Sequence, residues 1–156
     1  MTAHSEKSYR KLSANRKVFY DYTVLERFEA GIDLRGTEVK SIRTGHISLT
    51  GGFARMQEGE VVLFSVNIPP YEHGNRFNHE AERPRRLLLH KREINRLQVQ
   101  IEQKGHTLIP LSIYLKKGLV KIELGLCKGK HRGDKRETLR RRTAERETAR
   151  AIGRTA

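Results

Sequence analysis

The stretch Leu119-Val120-Lys121-Ile122-Glu123-Leu124-Gly125-Leu126-Cys127 decides the fold. Val120, Ile122, Leu124 and Leu126 alternate with Lys121, Glu123 and Gly125. A period of two places one face in a core and the other in water, as on an antiparallel strand. Residues 107–115 form a second such run, joined to the first across Lys116-Lys117-Gly118, so the pair is expected to be a hairpin. Pro110 cannot donate to a ladder, which predicts an edge or a bulge at that point.

Working outward, 53–56 and 60–66 flank Gln57-Glu58-Gly59 and read as another hairpin. Residues 20–28 are rich in β-branched and aromatic side chains and read as a strand that Gly31 breaks and 32–34 resume. Two helices are expected. One covers 38–44, capped by Thr37 and stopped by Gly45. The other covers 91–104, with Ile94, Leu97 and Ile101 on one face and Gly105 as its stop. Leu87-Leu88-Leu89 is short and apolar. Residues 69–86, with Pro69-Pro70, Gly74 and Asn75, read as a long loop. Five or more short strands with two to three helices predict a mainly-β fold with some α: a small antiparallel OB-fold-like β-barrel. That class hosts many oligonucleotide binders, but function has to be argued from the site.

The 156 residues carry a net charge of +14, unevenly spread. Residues 1–17 hold five Lys/Arg against one Glu, and 128–156 hold eleven Lys/Arg against four Asp/Glu. A nearly neutral body therefore sits between basic ends, a pattern that calls for a polyanionic partner, nucleic acid or an anionic membrane. No stretch approaches the ~18 consecutive apolar residues of a membrane span. The C-terminal segment offers only Leu139 and Ile152 as large apolar groups, too few to insert a face into lipid. Nucleic acid is the favoured partner. Three regions follow: a flexible basic segment 1–15, an RNA-binding body 16–130, and a basic tail 131–156. The tail has helix-friendly composition but no apolar stripe, and is expected to be disordered when free and helical when docked.

Cys127 is the only cysteine. It excludes an internal disulfide and a cysteine-based zinc site, fits a reducing cytosol, and reads as a small apolar group near a strand end. The chain lacks a Walker loop, Gly-x-Gly-x-x-Gly, Gly-x-Ser-x-Gly and His-Glu-x-x-His, so neither an enzyme nor a cofactor or metal site is expected. His73 and His79, in the polar loop, read as solvated. Contact with RNA needs cations for phosphates and flat groups for exposed bases. Candidates on the body are Lys40, Arg43, His90, Lys91 and Lys121. Lys121 also fits an ordinary exposed strand lysine. The arginine-rich tail fits a phosphate-binding arm.

Four segments, in order, carry a family resemblance. They are Phe28-Glu29-Ala30-Gly31-Ile32-Asp33-Leu34-Arg35-Gly36-Thr37-Glu38-Val39-Lys40-Ser41-Ile42-Arg43; Arg86-Leu87-Leu88-Leu89-His90; Lys121-Ile122-Glu123-Leu124-Gly125-Leu126-Cys127-Lys128-Gly129-Lys130; and Asp134-Lys135-Arg136. Over about 15–150 the chain resembles the SsrA-binding proteins, also called small protein B. The resemblance implies a bacterial cytosolic adaptor with an OB-like barrel, expected to be a monomer. Such an adaptor binds the tRNA-like domain of transfer-messenger RNA (tmRNA) and delivers it to stalled ribosomes for trans-translation. Its tail occupies the empty mRNA channel in place of codon–anticodon pairing, and the ribosome does the chemistry.

Carried over residue by residue, the RNA-binding surface is Glu29, Leu88, His90 and Lys121, to which charge adds Lys40, Arg43, Lys128 and Lys130. Glu29, an anion on an RNA surface, would either accept hydrogen bonds from base amino groups or hold a cation in place. The decoding-site tail is His131, Arg132, Asp134, Lys135, Arg136, Arg140, Arg141 and Arg142. Two positions depart from the family pattern. Gly133 stands where relatives often carry an aromatic or histidine, leaving His131 as the nearest ring, and Ala144 stands where some carry a bulky aromatic.

Overall fold

The computed structural model describes residues 9–71, 79–130 and 132–155. The element order is β1 (Tyr9–Ala14), α1 (Val18–Asp21), β2 (Tyr22–Ile32), α2 (Gly36–Arg43), β3 (Phe53–Gln57), β4 (Glu60–Phe64), β5 (Arg85–Leu88), α3 (Lys91–Lys104), β6 (Thr107–Lys116), β7 (Leu119–Gly129) and α4 (Arg132–Thr155). All strand pairings are antiparallel, in the order β1-β6-β3-β4-β5-β2-β7, and an additional β6–β7 pairing closes the sheet. Six strands thus form a ring. The first half of one edge of β6 meets β3 at Ala54↔Leu108, and β1 takes up the second half of that edge.

The ring is filled from its inward positions. Ile122 and Leu124 of β7 are fully buried, as are Val61, Ile113 and Leu97, and Phe28, Ala30 and Leu63 lie with them. Each buried aliphatic side chain contributes about 1.5–3 kcal/mol through loss of contact with water. The helix α3 seats Leu97 in the core with Ile94 and Ile101 beside it, the face its spacing predicts. Both hairpins turn on two residues with positive φ, Glu58-Gly59 (50° and 78°) and Lys117-Gly118 (52° and 77°). Such turns match the twist of the flanking strands. Pro110 sits at a register shift between Pro110 and Ser112, the expected bulge.

Several expectations are corrected. Tyr9–Ala14, in the segment expected to be flexible, is a strand along β6; its polar sequence hid it because only Leu12 packs on the core. Residues 18–21 form a short helix, so Tyr20 and Asp21 do not belong to the strand expected from residue 20. That helix covers a small second apolar cluster of Val18, Ile109, Leu111 and Cys127 outside the ring, and burial pushes the Cys127 thiol up to about 11. Gly31 does not break β2, which runs through to Ile32. A Cβ there would stand 3.2 Å from Leu88 Cβ, so glycine lets β5 approach closely. Residues 85–86, expected in a loop, belong to β5.

The tail, expected to be helical when docked, is a continuous helix of 24 residues. Its base is fixed to the body: Lys130 N–H donates to the Asp21 carbonyl (3.0 Å) and its ammonium to the Phe19 carbonyl (2.8 Å), while α1 and α4 are in contact.

Candidate nucleic-acid interface

The site starts from strand register. Gly31 of β2 is opposite Leu88 of β5 on one side and Lys121 of β7 on the other. Lys121 is in turn opposite Tyr114 of β6, and Tyr114 is opposite Lys11 of β1. One row, Leu88–Gly31–Lys121–Tyr114–Lys11, therefore crosses five strands. The neighbours Ala30, Leu87, Ile113 and Ile122 are buried inward, so alternation turns this row outward. Leu88 is 50% exposed, a large apolar group set among cations.

Glu29 lies two residues before Gly31 on the same face. It accepts a hydrogen bond from the Tyr114 hydroxyl (2.5 Å) and faces the Lys116 ammonium at 3.3 Å. The Tyr114 bond, opposed by burial and assisted by Lys116 and Lys121, holds the Glu29 carboxyl below its ordinary value. Burial and the Glu29 carboxylate push the Tyr114 hydroxyl far above its own ordinary value. Glu29 is thus a stable anion that orients a tyrosine and holds a lysine, which answers why an acid stands on this surface.

His90 is two residues beyond Leu88 and is the N-cap of α3; its N–H donates to Glu93 (3.2 Å). It lines a groove of about 480 Å³ with Glu26, Arg27, Phe28, Arg92, Glu93 and Arg96. There Arg96 pairs with Glu26 (2.7 Å) and Arg27 with Glu123 (2.9 Å). Exposed pairs of this kind contribute about 0–1 kcal/mol, so these guanidiniums can turn to a phosphate at little cost.

Other sequence candidates stand apart. Lys40 and Arg43 are exposed on α2, and Lys40 Nζ lies 5.8 Å from the Tyr71 ring centroid. Lys128 is exposed at the end of β7. Lys130 is a structural tether, as described above. Arg136, Arg140 and Arg141 are exposed on α4 and Arg142 is half-buried. Arg132, Asp134 and Lys135 fall in the first turn of α4, and His131 lies outside the described residues.

The sequence reading missed the buried hub beneath the surface. Glu38 and Arg85 are both fully buried and hydrogen-bonded through Arg85 Nε. Arg83 donates to Glu38 at 2.6 Å and the Arg35 N–H at 2.8 Å. Arg85 also donates to the carbonyls of Val66 (3.0 Å) and Ala81 (3.1 Å). The expected Thr37 cap is absent, because α2 begins at Gly36 after Arg35. The Thr37 hydroxyl instead meets His79 Nδ1 at 2.8 Å. His79 is buried, not solvated, and its Nε2 lies 2.8 Å from the Ile68 carbonyl; His73 is outside the described residues. The hub ties α2 to the start of β5 and to Arg83 just before it, and so fixes where Leu88 and His90 emerge. Among the described residues no group of three or more His, Cys, Asp or Glu could hold a metal, and no helix is long and apolar enough to cross a membrane.

The SmpB protein family model matches residues 12–154. The chain belongs to the SmpB family. It is 55% identical over 141 residues to the SsrA-binding protein of Carboxydothermus hydrogenoformans, covering 90% of this chain and 95% of that one. It is 50% identical over 149 residues to the SsrA-binding protein of Latilactobacillus sakei, covering 96% of each. A chain from a solved structure of tmRNA–SmpB in the bacterial ribosome superposes with a TM-score of 0.65 at 49% identity, covering 83% of this chain and 94% of that one. The SmpB likeness therefore spans both the closed sheet and most of the tail helix.

Proposed function

We propose that this chain is a non-enzymatic RNA-binding adaptor of the cytoplasm. It binds the tRNA-like domain of tmRNA and brings it to stalled ribosomes for trans-translation, with α4 entering the empty mRNA channel. The observation that carries this reading is the 49% identity, over 94% of its length, to a chain of the tmRNA–SmpB structure from the bacterial ribosome. The outward row on the sheet supplies the RNA face. Lys121, with Lys116 and Lys11 nearby, engages phosphate; Leu88 packs against a nucleotide; His90 and the arginines of the adjoining groove extend the contact. Lys40, Arg43 and Lys128, exposed elsewhere on the body, add attraction for phosphate, and Lys130 holds the base of the tail.

The tail residues His131, Arg132, Asp134, Lys135, Arg136, Arg140, Arg141 and Arg142 serve the decoding site. A helix presenting cations on several sides suits a channel lined by RNA phosphates.

A titration of the isolated tRNA-like domain tests the sheet face. Lys121→Ala is expected to weaken binding about tenfold, the scale of one charged hydrogen bond, with the fold unchanged because the side chain points outward. Unaltered affinity in Lys121→Ala would remove the row from the RNA interface.

A further inference from the structure

Tyr9 begins β1 opposite Lys116 and is 46% exposed. Its ring lies 4.8 Å from that of Tyr114, tilted by 37°. Tyr114 is itself buried and fixed by the hydrogen bond to Glu29. One side of Tyr9 is therefore supported from below by a locked ring, and among the described residues nearly half of the side chain stays exposed. Lys116 flanks it, and Lys121 is directly across from Tyr114. An exposed aromatic ring on the same outward face of the sheet as two lysines has the composition of a single-strand platform, in which the base stacks on the ring while its phosphates meet the cations.

We propose that Tyr9 stacks against an unpaired nucleobase of the bound RNA, with Tyr114 and Glu29 as positioning residues that hold the platform rigid. The inference rests on the adaptor reading above and adds a base-contacting residue to it. It also gives Glu29 a role that needs no direct contact with RNA: by fixing Tyr114 it fixes Tyr9.

The test compares Tyr9→Phe and Tyr9→Leu with the wild-type chain, binding the isolated tRNA-like domain of a bacterial tmRNA over a range of salt. Tyr9 opens an edge strand and stands half out of the protein, so neither change threatens the fold, and thermal midpoints verify this. Tyr9→Phe keeps the ring and is expected to bind as the wild type does. Tyr9→Leu keeps apolar cover over Tyr114 but cannot stack, and is expected to lose about tenfold in affinity. The slope of log affinity against log salt should not change in Tyr9→Leu, since stacking releases no counterion, whereas Lys121→Ala should flatten it by about one unit. If Tyr9→Leu binds as tightly as Tyr9→Phe while the wild type prefers the tRNA-like domain, the platform is wrong and the adaptor reading survives. If the wild type shows no such preference, both fall together.

Discussion

Replacing Glu38 by Gln is expected to destabilise the body by about 3–5 kcal/mol, because it leaves the Arg85 guanidinium buried beside a neutral group. Single domains are stable by only about 5–15 kcal/mol. The change should therefore lower the thermal midpoint by about 10–20 °C or prevent folding. Arg85 is fully buried and donates to Glu38 and to backbone carbonyls of Val66 and Ala81. Replacing the arginine by Met would accordingly not restore stability, since those carbonyls would then lack donors.

The same hub gives a pH dependence. Burial alone pushes the Glu38 carboxyl up, but hydrogen bonds from Arg83, the Arg35 N–H and Arg85 outweigh it and hold the group below the usual glutamate range. A carboxyl depressed on folding supplies stability that is complete above its unfolded value and disappears as pH falls through its folded value. Thermal melts of the wild type and Glu38→Gln should differ most near neutrality, and the gap should shrink below about pH 4. A constant gap down to pH 3 would mean that the ion pair is not what Glu38 contributes.

Ending the chain at Lys130 is expected to separate binding from delivery. The row Leu88–Gly31–Lys121–Tyr114 and the tethers of Lys130 all lie before the cut. Affinity for the tRNA-like domain should change only a few-fold, through loss of the tail's long-range attraction. Tagging of peptides on stalled ribosomes should be abolished, because α4 is the element that would fill the mRNA channel. The check pairs an affinity measurement with a reconstituted tagging reaction. A loss of affinity as large as that of Lys121→Ala would place part of the RNA face in the tail.

The parts of the fold readable in the sequence are those where one face is apolar and the other polar. The strand β7, the helix α3 and both hairpins announce themselves through period and turn residues, and Pro110 through its missing N–H. The parts that escape are those where tertiary partners override the local pattern. The strand β5 alternates correctly, but its first inward residue is Arg85, so a buried cation is read as loop polarity. The strand β1 is polar because it lies on the outside of the ring, beside β6.

The site is legible in the same divided way. Lys121 stands out as a lysine on the wet face of a regular strand, and Glu29 as an unexplained acid within a motif. Tyr114, Lys116 and Tyr9, which make sense of Glu29, are visible only once register brings β1, β2, β6 and β7 side by side. The tail carries its signal in its charge and its helix-friendly composition, both visible without tertiary partners.

The most direct test of the adaptor function is a competition assay at near-physiological salt. Labelled tRNA-like domain of tmRNA bound to this protein is challenged with excess total tRNA and, separately, with unstructured RNA. The predicted result is that neither competitor displaces it effectively. Displacement by unstructured RNA at the same concentration as by the unlabelled cognate domain would contradict the account and leave a general RNA-binding protein.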